Sequence, residues 1–291
     1  MRSHPSYSEH FMHGFFLVCG LVSVGCLTAI SIYLLISGLP AILTVGAAEF
    51  FFGTVWDPTS STAPKFGILP MLLTSLYGTF AAALMGVPIG FFTALYLSKL
   101  APKSVAAVIR PAVNLLAGIP SVIYGLVGML VLVPALRHFL DLPAGDSLLA
   151  AILVLTVMIL PSVISVSEAA LNAVPREYEE GSLALGATEI ETYLRVSVPA
   201  AKSGLAAAVV LGLGRAIGEA MAILMVAGNV ANMPALLKSV RFLTTGIAIE
   251  MNYAGAGSLQ RQALFSIGLT LFVFIVLVNI LLQFIWREKE E

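Results

Sequence analysis

Apolar residues run along this chain in long blocks separated by short polar stretches. Six blocks approach the roughly 20 apolar residues that a helix needs to cross a bilayer, at about 14–37, 70–97, 113–135, 147–168, 205–228 and 264–286. The pattern predicts an all-α membrane protein with six transmembrane helices. Residues 53–67, with Trp56, Asp57, Pro58, Pro64 and Lys65, read as an extramembrane loop. Residues 169–203 form the longest well-charged connection, and 229–263 a semi-polar one expected to dip into the membrane interface. The predicted organisation is a tail at 1–13, a polytopic membrane domain at 14–286 with its main loop at about 169–203, and a tail at 287–291. Pro88, Pro120 and Pro161 fall inside predicted spans. Each removes a helical hydrogen bond and predicts a kink.

Composition agrees with a bilayer environment. The chain is 59% hydrophobic and 11% charged, with a mean hydropathy of +0.98, whereas soluble domains carry about 25% charged residues. A net charge of −1 gives no basic surface for nucleic acid. Residues 11–48 contain no Asp, Glu, Lys or Arg, a stretch far longer than the core of a cleaved signal peptide, and therefore read as an uncleaved span. Cys19 and Cys26 fall on one helix face as small packing residues, and His4, His10 and His13 belong to a polar tail, so no metal site is expected. With the N-terminus inside, nine basic residues become cytoplasmic: Arg2, Lys99, Lys103, Arg110, Arg176, Arg195, Lys202, Arg287 and Lys289. Five become external: Lys65, Arg137, Lys238, Arg241 and Arg261. The excess predicts cytoplasmic N- and C-termini.

The long charged loop has a definite local design. Pro175 opens a helix whose first turns carry Glu177, Glu179 and Glu180, favourable at the positive end of the helix dipole. Gly186 can take the left-handed conformation that ends it. Thr188, with Glu191 three residues on, forms a capping box for a second short helix, which Pro199 is expected to stop. A helix–turn–helix tied into spans four and five suits a docking element that passes force into the membrane.

The fifth span holds the other unusual feature, Arg215 and Glu219 within Gly212–Asn229. A centred arginine costs about 2.5–3.5 kcal/mol on insertion scales. Glu219, four residues on, is expected on the same face one turn away, where the pair can neutralise itself. Gly214 and Gly218 make a Gly-x-x-x-Gly spacing that predicts close helix packing beside the pair. The expected role is an anion relay: the Arg215 guanidinium takes a passing oxyanion by bidentate hydrogen bonds, and Glu219 keeps that binding weak enough for release.

The spacing Glu180-x5-Gly186-x9-Val196-x-Val198-Pro199 resembles the coupling-loop signature of ABC importer permeases. The chain departs from it at Gly181 and Ser182, where alanines are usual, although both residues remain small. Three segments, at 116–125, 184–188 and 212–229, resemble the phosphate-specific transport permeases, and the last is more similar to the PstC type than to the PstA type. The likeness covers about residues 50–285. It implies a type I ABC importer permease fold and a non-catalytic subunit of an inorganic phosphate importer in the bacterial or archaeal cytoplasmic membrane. It also implies a PstA-type sibling permease, two copies of an ATPase, and an extracytoplasmic phosphate-binding protein docked by residues 229–263. The chain contains no Gly-x-x-x-x-Gly-Lys-Ser/Thr phosphate loop. ATP and Mg are therefore expected on the partner ATPase, with no cofactor on this chain. The residues carried over are Arg215 and Glu219 for the pathway, and Glu180, Gly181, Ser182, Gly186 and Pro199 for the ATPase contact. A permease for sulfate, molybdate or phosphonate, or a gradient-driven secondary transporter, is the alternative.

Overall fold

The computed structural model describes residues 7–60 and 62–287; side chains are described from residue 11 to residue 281. The parts of the tails beyond 7–287, with His4, lie outside the described residues. The first helix, α1, runs Tyr7–Val45 and so takes up half of the expected N-terminal tail. A short α2 (Ala47–Phe52) and a two-stranded hairpin, β1 (Trp56–Asp57) and β2 (Lys65–Phe66), follow outside the spans. Helix α3 (Leu69–Leu95) ends in a π-helical turn, Tyr96–Leu100. After it come α4 (Lys103–Gly118), α5 (Ser121–Val127) and α6 (Val133–Phe139), with a second π turn at Gly128–Leu132 joining the last two. Helix α7 (Leu148–Asn172) leads to the charged loop: α8 (Arg176–Ala184), α9 (Glu189–Thr192), a π turn at Tyr193–Ser197 and α10 (Val198–Ala200). The chain closes with α11 (Lys202–Gly218), α12 (Met221–Val226), α13 (Leu243–Glu250) and α14 (Leu259–Arg287).

Among the described residues, five helical stretches are long and apolar enough to cross a membrane, and a sixth is obtained if the bent pair Glu189–Ala200 and Lys202–Gly218 counts as one. The expected third span is not one rod. Pro120 has no amide proton to continue the ladder, so α4 stops at Gly118 with Ile119 and Pro120 extended. The apolar crossing begins afresh at Ser121 and runs to Phe139. Helix α4 instead lies against α7, held by Arg110, whose Nε donates to Glu168 Oε1 at 2.6 Å and whose Nη2 donates to the Leu97 carbonyl at 3.0 Å.

Helix α7 is the axis of the bundle. It buries Leu155, Met158, Ile159 and Val163 almost completely. Two glycine-bearing helices clasp it. On α3, a small residue recurs every four positions at Gly78, Ala82, Gly86 and Gly90. A Cβ added to Gly86 would come within 2.6 Å of Ile159 Cδ1, and one on Gly90 within 2.7 Å of Val163 Cγ1. On α11, Gly212 meets Val163 and Gly204 meets Ala170 in the same manner. Between helices surrounded by lipid, such close approach replaces hydrophobic burial as the source of cohesion.

Helices α1 and α14 form a second pair. At Gly38 a Cβ would lie 2.9 Å from the Phe265 carbonyl oxygen, and the Gly38 carbonyl accepts a hydrogen bond from the Ser266 hydroxyl. Backbone contact this close needs glycine. Cys19 and Cys26, expected as packing residues, are exposed, as is every residue from 11 to 30.

The semi-polar segment after α12 folds back over the bundle. Backbone amides of Ser147, Leu148 and Leu149 donate to the carbonyls of Val226, Lys238 and Leu236, and Phe242 buries its ring over Gly78. Glu250 gathers this layer. It accepts from Arg241 Nη1 at 2.7 Å, Trp56 Nε1 at 2.9 Å and Gln260 Nε2 at 3.3 Å.

Candidate functional site: the charged loop and the mid-span arginine

The loop at 175–200 is built as its sequence dictates. Pro175 is the N-cap of α8, with Glu177 and Glu179 in the first turn. Gly186 has φ of 87°, a conformation that costs an L-residue about 1–2 kcal/mol. Thr188 and Glu191 complete a reciprocal capping box: the Glu191 amide donates to Thr188 Oγ1 at 3.3 Å and the Thr188 amide to Glu191 Oε2 at 3.1 Å. The Thr188 backbone bond, and then its hydroxyl, hold the Glu191 carboxyl below its ordinary range. Burial, followed by the neighbouring Glu189 and Glu179 charges, raises the Tyr193 phenol.

Pro199 does not stop the second helix. The helix runs on through the π turn and Pro199 to Ala200, and the chain turns by 73° only at Ala201, into α11. Ser182 contacts Thr192 through their hydroxyls at 2.9 Å and so closes the loop on itself. Glu180 and Gly181 are exposed. Around them Tyr178, Leu185, Ile190 and Leu194 present apolar surface to the outside, with Leu185 92% exposed. Exposed apolar surface on a loop with this many charged residues suits a protein partner.

The intramembrane pair is arranged differently from expectation. Helix α11 ends at Gly218, and Glu219 has the extended backbone φ −73°, ψ 129°. Its Oε1 accepts from the Ala222 amide at 2.9 Å, capping α12, while its carbonyl accepts from Thr244 Oγ1 at 2.7 Å. A helix broken at glycine inside a bilayer frees backbone donors that protein groups must satisfy, and that requirement engages Glu219. The continuous helix assumed for an i, i+4 ion pair is absent. Among the described residues the ion pairs are Lys99–Glu179, Arg110–Glu168 and Arg241–Glu250.

Arg215 instead turns to Ser162 on α7, its Nη1 donating to Oγ at 3.3 Å. Both residues, with Val210, Leu211, Gly214 and Asn279 of α14, line a pocket of about 470 Å³. Gly214 and Gly218 meet no other atom within 4 Å of where a Cβ would be. Among the described residues they are open, and the packing expected there occurs at Gly204 and Gly212. The sequence offered a signal for two further pocket residues that the motif reading passed over. Asn279 interrupts an otherwise apolar block, and Ser162 directly follows the span proline Pro161.

Comparison with known proteins sets this architecture in a family. The sequence model of the "Binding-protein-dependent transport system inner membrane component" family matches residues 86–289. This chain belongs to that family. The chain is 40% identical over 275 residues to "Probable ABC transporter permease protein YqgH" of Bacillus subtilis (94% of this chain, 89% of the relative). It is 37% identical over 293 residues to "Phosphate transport system permease protein PstC" of Haemophilus influenzae (91% of each). Among solved structures, a bacterial alginate ABC transporter chain superposes with a TM-score of 0.61 at 17% identity, covering 96% of this chain and 95% of that one. A chain of the inward-facing MetNI methionine ABC transporter gives 0.58 at 23%, covering 76% and 95%. The fold is therefore that of type I ABC importer permeases, as the coupling-loop spacing implied. The chain is a non-catalytic permease subunit, and the gradient-driven alternative falls away.

Proposed function

We propose that this permease forms half of the translocation path of an ATP-driven phosphate importer. The observation that carries the reading is Arg215: a mid-span guanidinium that opens on a pocket and has a serine, not a carboxylate, as its hydrogen-bond partner. A guanidinium whose charge is uncompensated at close range attracts a tetrahedral oxyanion far more strongly than one locked to a glutamate. Ser162 and Asn279 add hydroxyl and amide groups beside it. Relatives named as PstC phosphate permeases at 32–37% identity support phosphate over other oxyanions.

Glu219 takes a role other than neutralising the arginine. By capping α12 and tying its own carbonyl to Thr244, it fixes the break that ends α11 just beyond Arg215. The negative charge one short step from the pocket still disfavours tight trapping of an anion.

The partners follow from the same reading. A PstA-type sibling permease covers Gly214, Gly218 and the open side of the pocket. An ATPase dimer, which binds the ATP and Mg, receives Glu180, Gly181, Ser182, Gly186 and the apolar surface around Leu185, with Pro199 at the end of the same loop. An extracytoplasmic phosphate-binding protein docks on the layer organised by Glu250. With N- and C-termini in the cytoplasm, the charged loop faces the ATPase and the Glu250 layer faces outward. Reconstitution with these partners tests the proposal, with ATP-driven uptake of phosphate compared with sulfate and phosphonate. Uptake selective for phosphate is expected; uptake of another oxyanion in its place would reassign the substrate.

A further inference from the structure

The charged loop is attached to the membrane helices by more than its two chain ends. Glu179, on the inner side of α8, directs one oxygen, Oε1, at two donors from two different elements. Lys99 Nζ lies 2.5 Å away, on the π turn that ends α3. Ser197 Oγ donates to the same oxygen at 2.8 Å, from the π turn that leads through α10 into α11. The three residues are withdrawn from solvent: Lys99 and Glu179 side chains are 11% and 16% exposed, and Ser197 is fully buried. Beside them Ser98 donates to Asn172 Oδ1 at 2.7 Å, fastening the same π turn to the end of α7.

A loop that served only to present a surface could be held by its capping box and its ends. Here one carboxylate joins α8 to both helices that clasp α7. Each attachment falls on a π turn, a helical irregularity frequent at functional sites. Pushing α8 must therefore move the ends of α3 and α11 together. We infer that Glu179, Lys99 and Ser197 are positioning residues that convert displacement of α8 by the ATPase into a joint movement of the α3 and α11 spans, and so couple ATP hydrolysis to opening of the path. The inference rests on the proposed function for an ATPase at α8, but not on phosphate as the substrate.

The test uses the complete reconstituted transporter bearing Glu179→Gln, Lys99→Met and the conservative Lys99→Arg. Two quantities are measured: substrate imported per ATP hydrolysed, and stimulation of ATPase activity by the loaded binding protein. Glu179→Gln and Lys99→Met should each co-purify with the ATPase yet lower both quantities, by at least about fivefold, the lower end of measured coupling effects. Lys99→Arg should preserve them. A wild-type ratio in both disruptive variants would overturn the inference. Loss of the assembled complex in both would overturn it too, by assigning the contacts to folding. A wild-type complex whose ATPase responds to its binding protein but which imports no phosphate would refute the substrate reading alone, since ATPase stimulation still reports the coupling.

Discussion

A single arginine carries the functional reading at the residue scale. Its partner in the structure is Ser162, so Arg215 remains a cation available to a ligand. Arg215→Lys keeps the charge but loses the planar fork, and we expect it to retain a minor fraction of transport with a raised apparent KM, measured as uptake against external phosphate. Ser162→Ala should do less damage than Arg215→Lys in the same assay, because it removes a single hydrogen bond to a charged group, about 1.5–3 kcal/mol, and leaves the guanidinium in place. Glu191 makes a separate prediction about pH. Its carboxyl is held below the ordinary range by Thr188. A depressed folded-state pKa means that the cap stabilises the loop above the pKa of the free side chain, and that this support is lost as pH falls through the lower folded value. Binding of the isolated permease complex to its ATPase should therefore weaken under acid conditions, below the usual carboxylate range. Thr188→Ala should abolish the Thr188–Glu191 share of that acid sensitivity.

Elements show how far sequence pattern reaches. The capping box, the left-handed Gly186 and the helix–turn–helix were legible because each depends on residues within four positions of one another. The broken third and fifth spans were not. Hydropathy averages over a window and cannot register that Pro120 stops α4, or that Gly218 ends α11 so that Glu219 turns its carboxylate to Ala222. The helix-packing seam was misplaced for a related reason. Gly214 and Gly218 have the right spacing, yet so do Gly78, Ala82, Gly86 and Gly90, and only tertiary placement decides which stripe meets another helix. Two substitutions test the packing. Gly38→Val must force α1 away from the Phe265 carbonyl and should lower the detergent-solubilised Tm, by about 1–3 kcal/mol of overpacking. Gly25→Ala, with nothing within 4 Å, should leave Tm unchanged or slightly raised, since alanine is the better helix former. At Gly186, where φ is 87°, valine should leave the spans folded but reduce uptake per ATP, and normal coupled turnover would count against the turn's role.

On the scale of the whole molecule, the layers divide the labour. Helix α7 and its two clasping helices form a rigid centre, the charged loop caps one end, and the Glu250 layer closes the other. The amphipathic α4 and the bent junction at Ala201 join the first of these to the spans. The proposed orientation rests on the distribution of basic residues. In a variant with Cys19 and Cys26 replaced by serine, a cysteine at Leu185 should react with a membrane-impermeant maleimide only in inside-out vesicles. A cysteine at Tyr253, which is 85% exposed, should react only from the outside of intact cells. The reverse pattern would invert the topology and with it the identity of the ATPase-facing loop.

The central claim, that Arg215 receives the transported anion, is tested most directly by phosphate uptake in the reconstituted complex carrying Arg215→Ala. The account predicts that the variant assembles with its ATPase and sibling, hydrolyses ATP, and imports essentially no phosphate. Uptake close to that of the unaltered protein would contradict it and leave Arg215 a structural residue bonded to Ser162.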